Sequence, residues 1–111
     1  GNTKWIKTFD GKFSEQFHAV KEISKGRIVV AGWSNSFSTN NKADYLLAMY
    51  DADGNFIDAK QYGDNKDNYC YGMEALNDGT YMLNGYADNM ELMHINADMT
   101  FVAEIAFAML L

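Results

Sequence analysis

The sequence predicts an all-β fold made of two four-stranded antiparallel sheets, and three observations predict it. The first is an internal repeat. The stretch Lys7 to Ser34 returns without a gap as Lys60 to Ala87, so that Phe9 meets Tyr62, Ile23 meets Leu76, Gly26 meets Gly79, Val30 meets Leu83, Gly32 meets Gly85 and Trp33 meets Tyr86. A second segment sets Tyr50 to Phe56 against Ile95 to Phe101, the difference in spacing falling in a longer loop, Ser34 to Asp44, of the first copy. The second observation is that each copy divides into four short apolar or alternating runs bounded by turn residues, which is the strand signal. The third is that Ile28 to Trp33 and Tyr45 to Tyr50 are apolar at successive positions, as in strands covered on both faces.

The strands follow in order. The first copy gives Gln16 to Ile23, Arg27 to Trp33, Tyr45 to Asp51 and Phe56 to Tyr62; the second gives Tyr69 to Leu76, Thr80 to Ala87, Glu91 to Asn96 and Thr100 to Phe107. A ninth, Lys4 to Phe9, aligns with the fourth strand of a copy. Gly26 and Gly79 sit where tight hairpins need positive φ, and Gly54 does the same between the third and fourth strands. Short links of this kind join antiparallel neighbours, so each copy reads as a meander. In the second copy Asn84 stands for Ala31 and His94 for Met49, so one face of that sheet is expected to be only partly covered.

Composition narrows the function. A chain of 111 residues, 48% of them hydrophobic, forms one domain (1–111) with a core rather than a disordered segment. The copies run over about 5–57 and about 58–104. A net charge of −6 argues against nucleic acid and against an anionic membrane surface, both of which call for clustered Lys and Arg. No apolar run has the length of a spanning helix. The single cysteine, Cys70, excludes an intramolecular disulfide and reads as a packing residue.

A repeat of roughly 50 residues belongs to propeller and solenoid architectures. Trp5 to Gly11, His18 to Val20, Lys25-Gly26, Ile28 to Trp33 and Asp44 to Asn55 together resemble the bacterial β-propeller repeats of secreted and surface proteins. The first copy matches well; in the second, Asn96 to Thr100 replaces the aspartate-glycine turn. The resemblance implies two propeller-like blades and a secreted or cell-surface setting. It implies no function, since such repeats are scaffolds.

A propeller closes with about four to eight blades. Two blades leave apolar faces in water, and large exposed apolar faces mark partner sites. The expectation is therefore a homo-oligomer, a dimer or trimer completing one propeller. A β-sandwich, in which the two sheets hide each other, is the structural alternative. A third reading makes the chain a piece of a longer propeller.

No serine or cysteine stands in a nucleophile motif, no phosphate-cradling loop occurs, and no catalytic residue, metal site or cofactor is assigned. Asp51 to Asp58 is similar to a calcium loop but lacks the third carboxylate before Gly54, so it reads as a hairpin turn. Binding is expected of Trp33 and Tyr86, aromatic platforms at equivalent strand ends, of Phe37 in the serine- and asparagine-rich loop, and of His94 on an inner strand. The leading expectation is a non-catalytic module that binds a protein, peptide or glycan, a lectin-like glycan binder being one version. The rival is a small hydrolase at a subunit junction, built on His94 with Glu91 and Glu74. His18 reads as a packing residue.

Overall fold

A computed structural model describes residues 14–24, 26–36, 40–63, 66–99 and 101–107. Among these, the chain forms eight strands: β1 (Glu15–Ser24), β2 (Arg27–Ser34), β3 (Asp44–Asp51), β4 (Phe56–Tyr62), β5 (Tyr69–Ala75), β6 (Tyr81–Ala87), β7 (Asn89–Ile95) and β8 (Phe101–Phe107). They make two four-stranded antiparallel sheets, each a meander in chain order, β1-β2-β3-β4 and β5-β6-β7-β8. The expected ninth strand, Lys4 to Phe9, lies outside the described residues.

The hairpins form for the reasons the turn residues give. Gly26, Gly54 and Gly79 adopt φ of 79°, 84° and 86°, a region that costs residues with a Cβ roughly 1–2 kcal/mol. Asp51 fastens the β3–β4 turn: its Oδ1 accepts from the amides of Asp53 and Asn55, both at 2.9 Å, and its Oδ2 from Asn55 Nδ2 at 3.1 Å. Those bonds, the Asn55 amide first, hold the Asp51 carboxyl below the usual carboxylate range. The matching β7–β8 turn has Met99 in place of Gly54. It keeps the left-handed backbone, at φ 72°, and buries the methionine side chain in the core.

The two sheets pack face on face over one core. From the first sheet it takes Val29, Ala31, Tyr45, Leu47 and Met49; from the second, Cys70, Met73, Leu83, Met93 and Ile95. Strand β3 is buried through Met49 on both faces, as its continuous apolar run predicts. Strand β6 alternates instead, with Tyr81 and Leu83 buried and Asn84 and Tyr86 exposed. The second sheet thus has an open face, where Asn84 stands for Ala31. At the edge where β1 and β5 come together, Lys21 Nζ lies 3.7 Å from Glu74 Oε1.

Candidate functional site

Strands β1 and β5 open their sheets, and each carries an irregularity near its start. The register of β1 on β2 shifts between Phe17 and Ala19, and that of β5 on β6 between Cys70 and Gly72. The residues set out of register are His18 and Tyr71, equivalent positions in the two copies. A bulge re-aims its side chain, and both of these are turned to solvent. They meet edge to face, ring centroids 4.9 Å apart. His18 is therefore a surface residue, corrected from the packing role expected of it; the bulge turns it out of the sheet, and its Nε2 lies 3.1 Å from Gln16 Oε1.

The aromatic row continues inward. Tyr71 lies nearly parallel to Tyr69, centroids 6.4 Å apart, and Tyr69 stands perpendicular to Trp33 at 5.0 Å. Gly85, across from this bulge, leaves the space it needs: a Cβ there would come within 2.3 Å of the Tyr45 hydroxyl. Trp33 is half-buried, and its Nε1 has no hydrogen-bond partner among the described residues. The perpendicular Tyr69 ring beside it leaves the indole packed rather than hydrated. Burial, and then the Asp67 carboxylate, push the Tyr69 phenol up, so it stays protonated well above neutral pH.

Polar contacts fix the rim around the row. Ser34 Oγ donates to Glu15 Oε2 at 3.0 Å, Ser36 Oγ donates to the same oxygen, and the Ser36 amide donates to Ser34 Oγ at 3.0 Å. On the far side of the loop, the Ala43 amide donates to Asp67 Oδ1 at 2.9 Å and the Asn68 amide to the Ala43 carbonyl at 2.7 Å. Both ends of the Ser34 to Asp44 loop are thereby tied to strand entrances. Phe37 lies outside the described residues.

The other expected binding residues separate. Tyr86 pairs across the sheet with Tyr69 on one side and Met90 on the other, half of its surface in solvent. His94 lies on that same outer face, farther along β7, opposite Met82. Its Nε2 is 2.8 Å from Thr80 Oγ1, and the Thr80 hydroxyl donates to Asp78 Oδ1 at 2.5 Å. Since that hydroxyl spends its proton on Asp78, Nε2 of His94 is the protonated ring nitrogen. Thr80, by side chain and then by amide, holds the Asp78 carboxyl below the usual range.

Glu91 does not join His94. It points into the core, where Tyr45 donates to its Oε1 at 3.3 Å. Three residues apart on one strand, the two side chains occupy opposite faces of the sheet. Glu74 is engaged with Lys21. The geometry of the hydrolase alternative is therefore not assembled within the chain. Cys70 is fully buried, its thiol pushed up to about 12 by burial, so at neutral pH it is an un-ionised packing group. No cluster of metal-ligating side chains occurs among the described residues. At the opposite end of the sheets a concavity of about 360 Å³ is lined by Ile23, Arg27, Met49, Leu76 and Tyr81.

Sequence reasoning singled out Trp33 and Tyr86 as binding residues but not Tyr69, Tyr71 and His18, which continue the row from Trp33. The available signal was the aromatic pair Tyr69 and Tyr71 flanking Cys70, at the positions of Gln16 and His18. No family model matches this chain, and no curated protein does.

Proposed function

We propose that the protein is a non-catalytic binding module on a propeller-type scaffold, with the aromatic row at the seam of the two sheets as its ligand site. The row of His18, Tyr71 and Tyr69, backed by Trp33, is the observation that carries this reading. Rings held at fixed angles on strands lose little entropy on binding, and they offer flat faces to a ligand with an apolar side. A saccharide ring has such a side, and hydroxyls that the acidic rim of Glu15 and Asp67 could accept from. Screening the unaltered protein on a glycan array, with an aromatic-peptide array beside it, identifies the ligand class. Tyr71→Ala then weakens the recovered ligand at least tenfold, with Trp33 fluorescence as the readout. Equal binding by Tyr71→Ala would overturn the assignment.

The scaffold part of the proposal is supported by which faces are buried. Val29, Ala31, Tyr45 and Leu47 face the second sheet, yet their aligned counterparts Met82, Asn84, Met90 and Leu92 lie on that sheet's outer side. The sheets are thus stacked front to back, as consecutive blades are, whereas a two-fold sandwich would press equivalent faces together. Further blades come from further copies, two chains giving four blades and three giving six.

A further inference from the structure

We propose that the concavity at the far end of the sheets binds a small amphipathic carboxylate, its apolar body lying between the sheets and its oxygens on Arg27 and Tyr81. The site is separate from the aromatic row and does not depend on it. The sheets approach each other through β5, which lies against β1, β2 and β3. That strand ends at Ala75, and the chain turns away at Leu76, whose carbonyl accepts from the Gly79 amide at 3.0 Å. Where β5 ends, the concavity of about 360 Å³ opens, lined from the first sheet by Ile23, Arg27 and Met49 and from the second by Leu76, Tyr81 and Ala97. Gly79 adds to the space, since a Cβ there would touch Ala97 Cβ at 3.9 Å and nothing closer. Small-ligand pockets begin at roughly this size, about 300 Å³.

Two polar groups of the lining lack partners. Tyr81 is 1% exposed, yet its hydroxyl has no hydrogen bond among the described residues. Among those residues Trp33 Nε1 alone is a polar atom sealed from solvent without a partner, so the Tyr81 hydroxyl opens on the concavity that its residue lines. Burial pushes the phenol up, which keeps it a protonated donor at neutral pH. Arg27 is the one charged side chain of the lining, and it is exposed, at the mouth. It has no ion pair or hydrogen bond among the described residues. Asp51 faces it in the β2–β3 register but gives its oxygens to the turn amides and to Asn55.

The ligand's chemistry follows from these groups. A guanidinium donates and cannot accept, and the protonated phenol has a hydrogen to give. One group that satisfies both is a carboxylate, which carries the complementary charge and has an oxygen for each donor. The rest of the ligand must be apolar, because Ile23, Met49 and Leu76 form the walls. Leu76, 36% exposed in the free chain, would lose that exposure to the ligand and so add to the driving force. A cation would meet Arg27 as a like charge, and a purely apolar molecule would leave both donors unmet.

Octanoate is the probe, titrated into the unaltered protein and followed by amide NMR shifts. Saturable shifts are expected at Leu76, Gly79 and Ala97. Octan-1-ol, which keeps the chain and loses the charge, should bind at least about tenfold more weakly, and octylammonium should give no saturable shift. Arg27→Gln is a surface change expected to weaken octanoate at least about tenfold, and Tyr81→Phe keeps the ring and should weaken it about threefold. Circular dichroism checks that both variants stay folded, and the octanol comparison needs no variant. The site is overturned if millimolar octanoate gives no saturable shift, or if the shifts fall at Tyr69 and Tyr71 alone, which would leave the aromatic row as proposed. Equal binding of octanol and octanoate, or unchanged binding by Arg27→Gln, overturns the carboxylate assignment.

Discussion

The hydroxyl of Tyr45 on β3 donates a 3.3 Å hydrogen bond to Glu91 Oε1 on β7, across the interior where the two sheets meet. Both residues are buried, so this contact joins the sheets by a polar bond inside a largely apolar interface. Tyr45→Phe keeps the ring and removes a donor from a buried carboxylate. The expected loss is about 1.5–3 kcal/mol of folding stability, measured by denaturant titration. A change below a few tenths of a kcal/mol would mean that the bond does not help to hold the sheets together.

Met99 sets two effects against each other. Its left-handed backbone favours glycine by roughly 1–2 kcal/mol, while its buried side chain contributes about 2–5 kcal/mol by analogy with core truncations. Burial is the larger effect, so Met99→Gly lowers stability by about 1–3 kcal/mol in the same titration. A stabilised variant would show that the side chain is not part of the core.

The Cys70 thiol gives stability an alkaline limit. Its ordinary value of 9.0 is raised to about 12 in the folded chain, so between those values the unfolded thiol has lost its proton and the native one has kept it. The unfolded state then binds fewer protons, and stability falls as pH rises from 9 toward 12, by at most about 1.4 kcal/mol per unit. Half-buried Tyr62 and Tyr50 and buried Tyr81 are shifted in the same direction, by burial first. The difference between the unaltered protein and Cys70→Ala isolates the thiol's share, and identical alkaline slopes for the two would contradict its burial.

Asp51 acts at the acid end. Its carboxyl is held low by the turn amides, so its contribution is complete above the ordinary value of 3.8 and is lost as pH falls through the lower native value. Asp51→Ala removes those acceptors and is expected to lower the melting temperature at pH 7 while flattening its fall in acid. NMR titration of Asp51 at or above the ordinary value would refute the shift.

The strands were legible in the sequence wherever turn chemistry bounded them. Gly26, Gly54 and Gly79 mark three hairpins, and Phe56–Tyr62 follows directly from the run after Asp53-Gly54. Coverage was legible in part: Asn84 and His94, polar residues at apolar positions, do lie on the open face of the second sheet. The aromatic row was harder to see. Period-two alternation places His18 and Tyr71 by counting along a strand, and a bulge breaks the count by one residue, which turns a side chain to the other side. The environment of His94 was likewise hidden, because Glu91 is near it in sequence but on the opposite face, whereas Thr80 reaches it from the turn that leads into the neighbouring strand β6.

The solution mass of the unaltered chain tests the proposed assembly most directly. Light scattering at micromolar concentration should return two or three times the 12.5 kDa of one chain. A clean mass of one chain would contradict it.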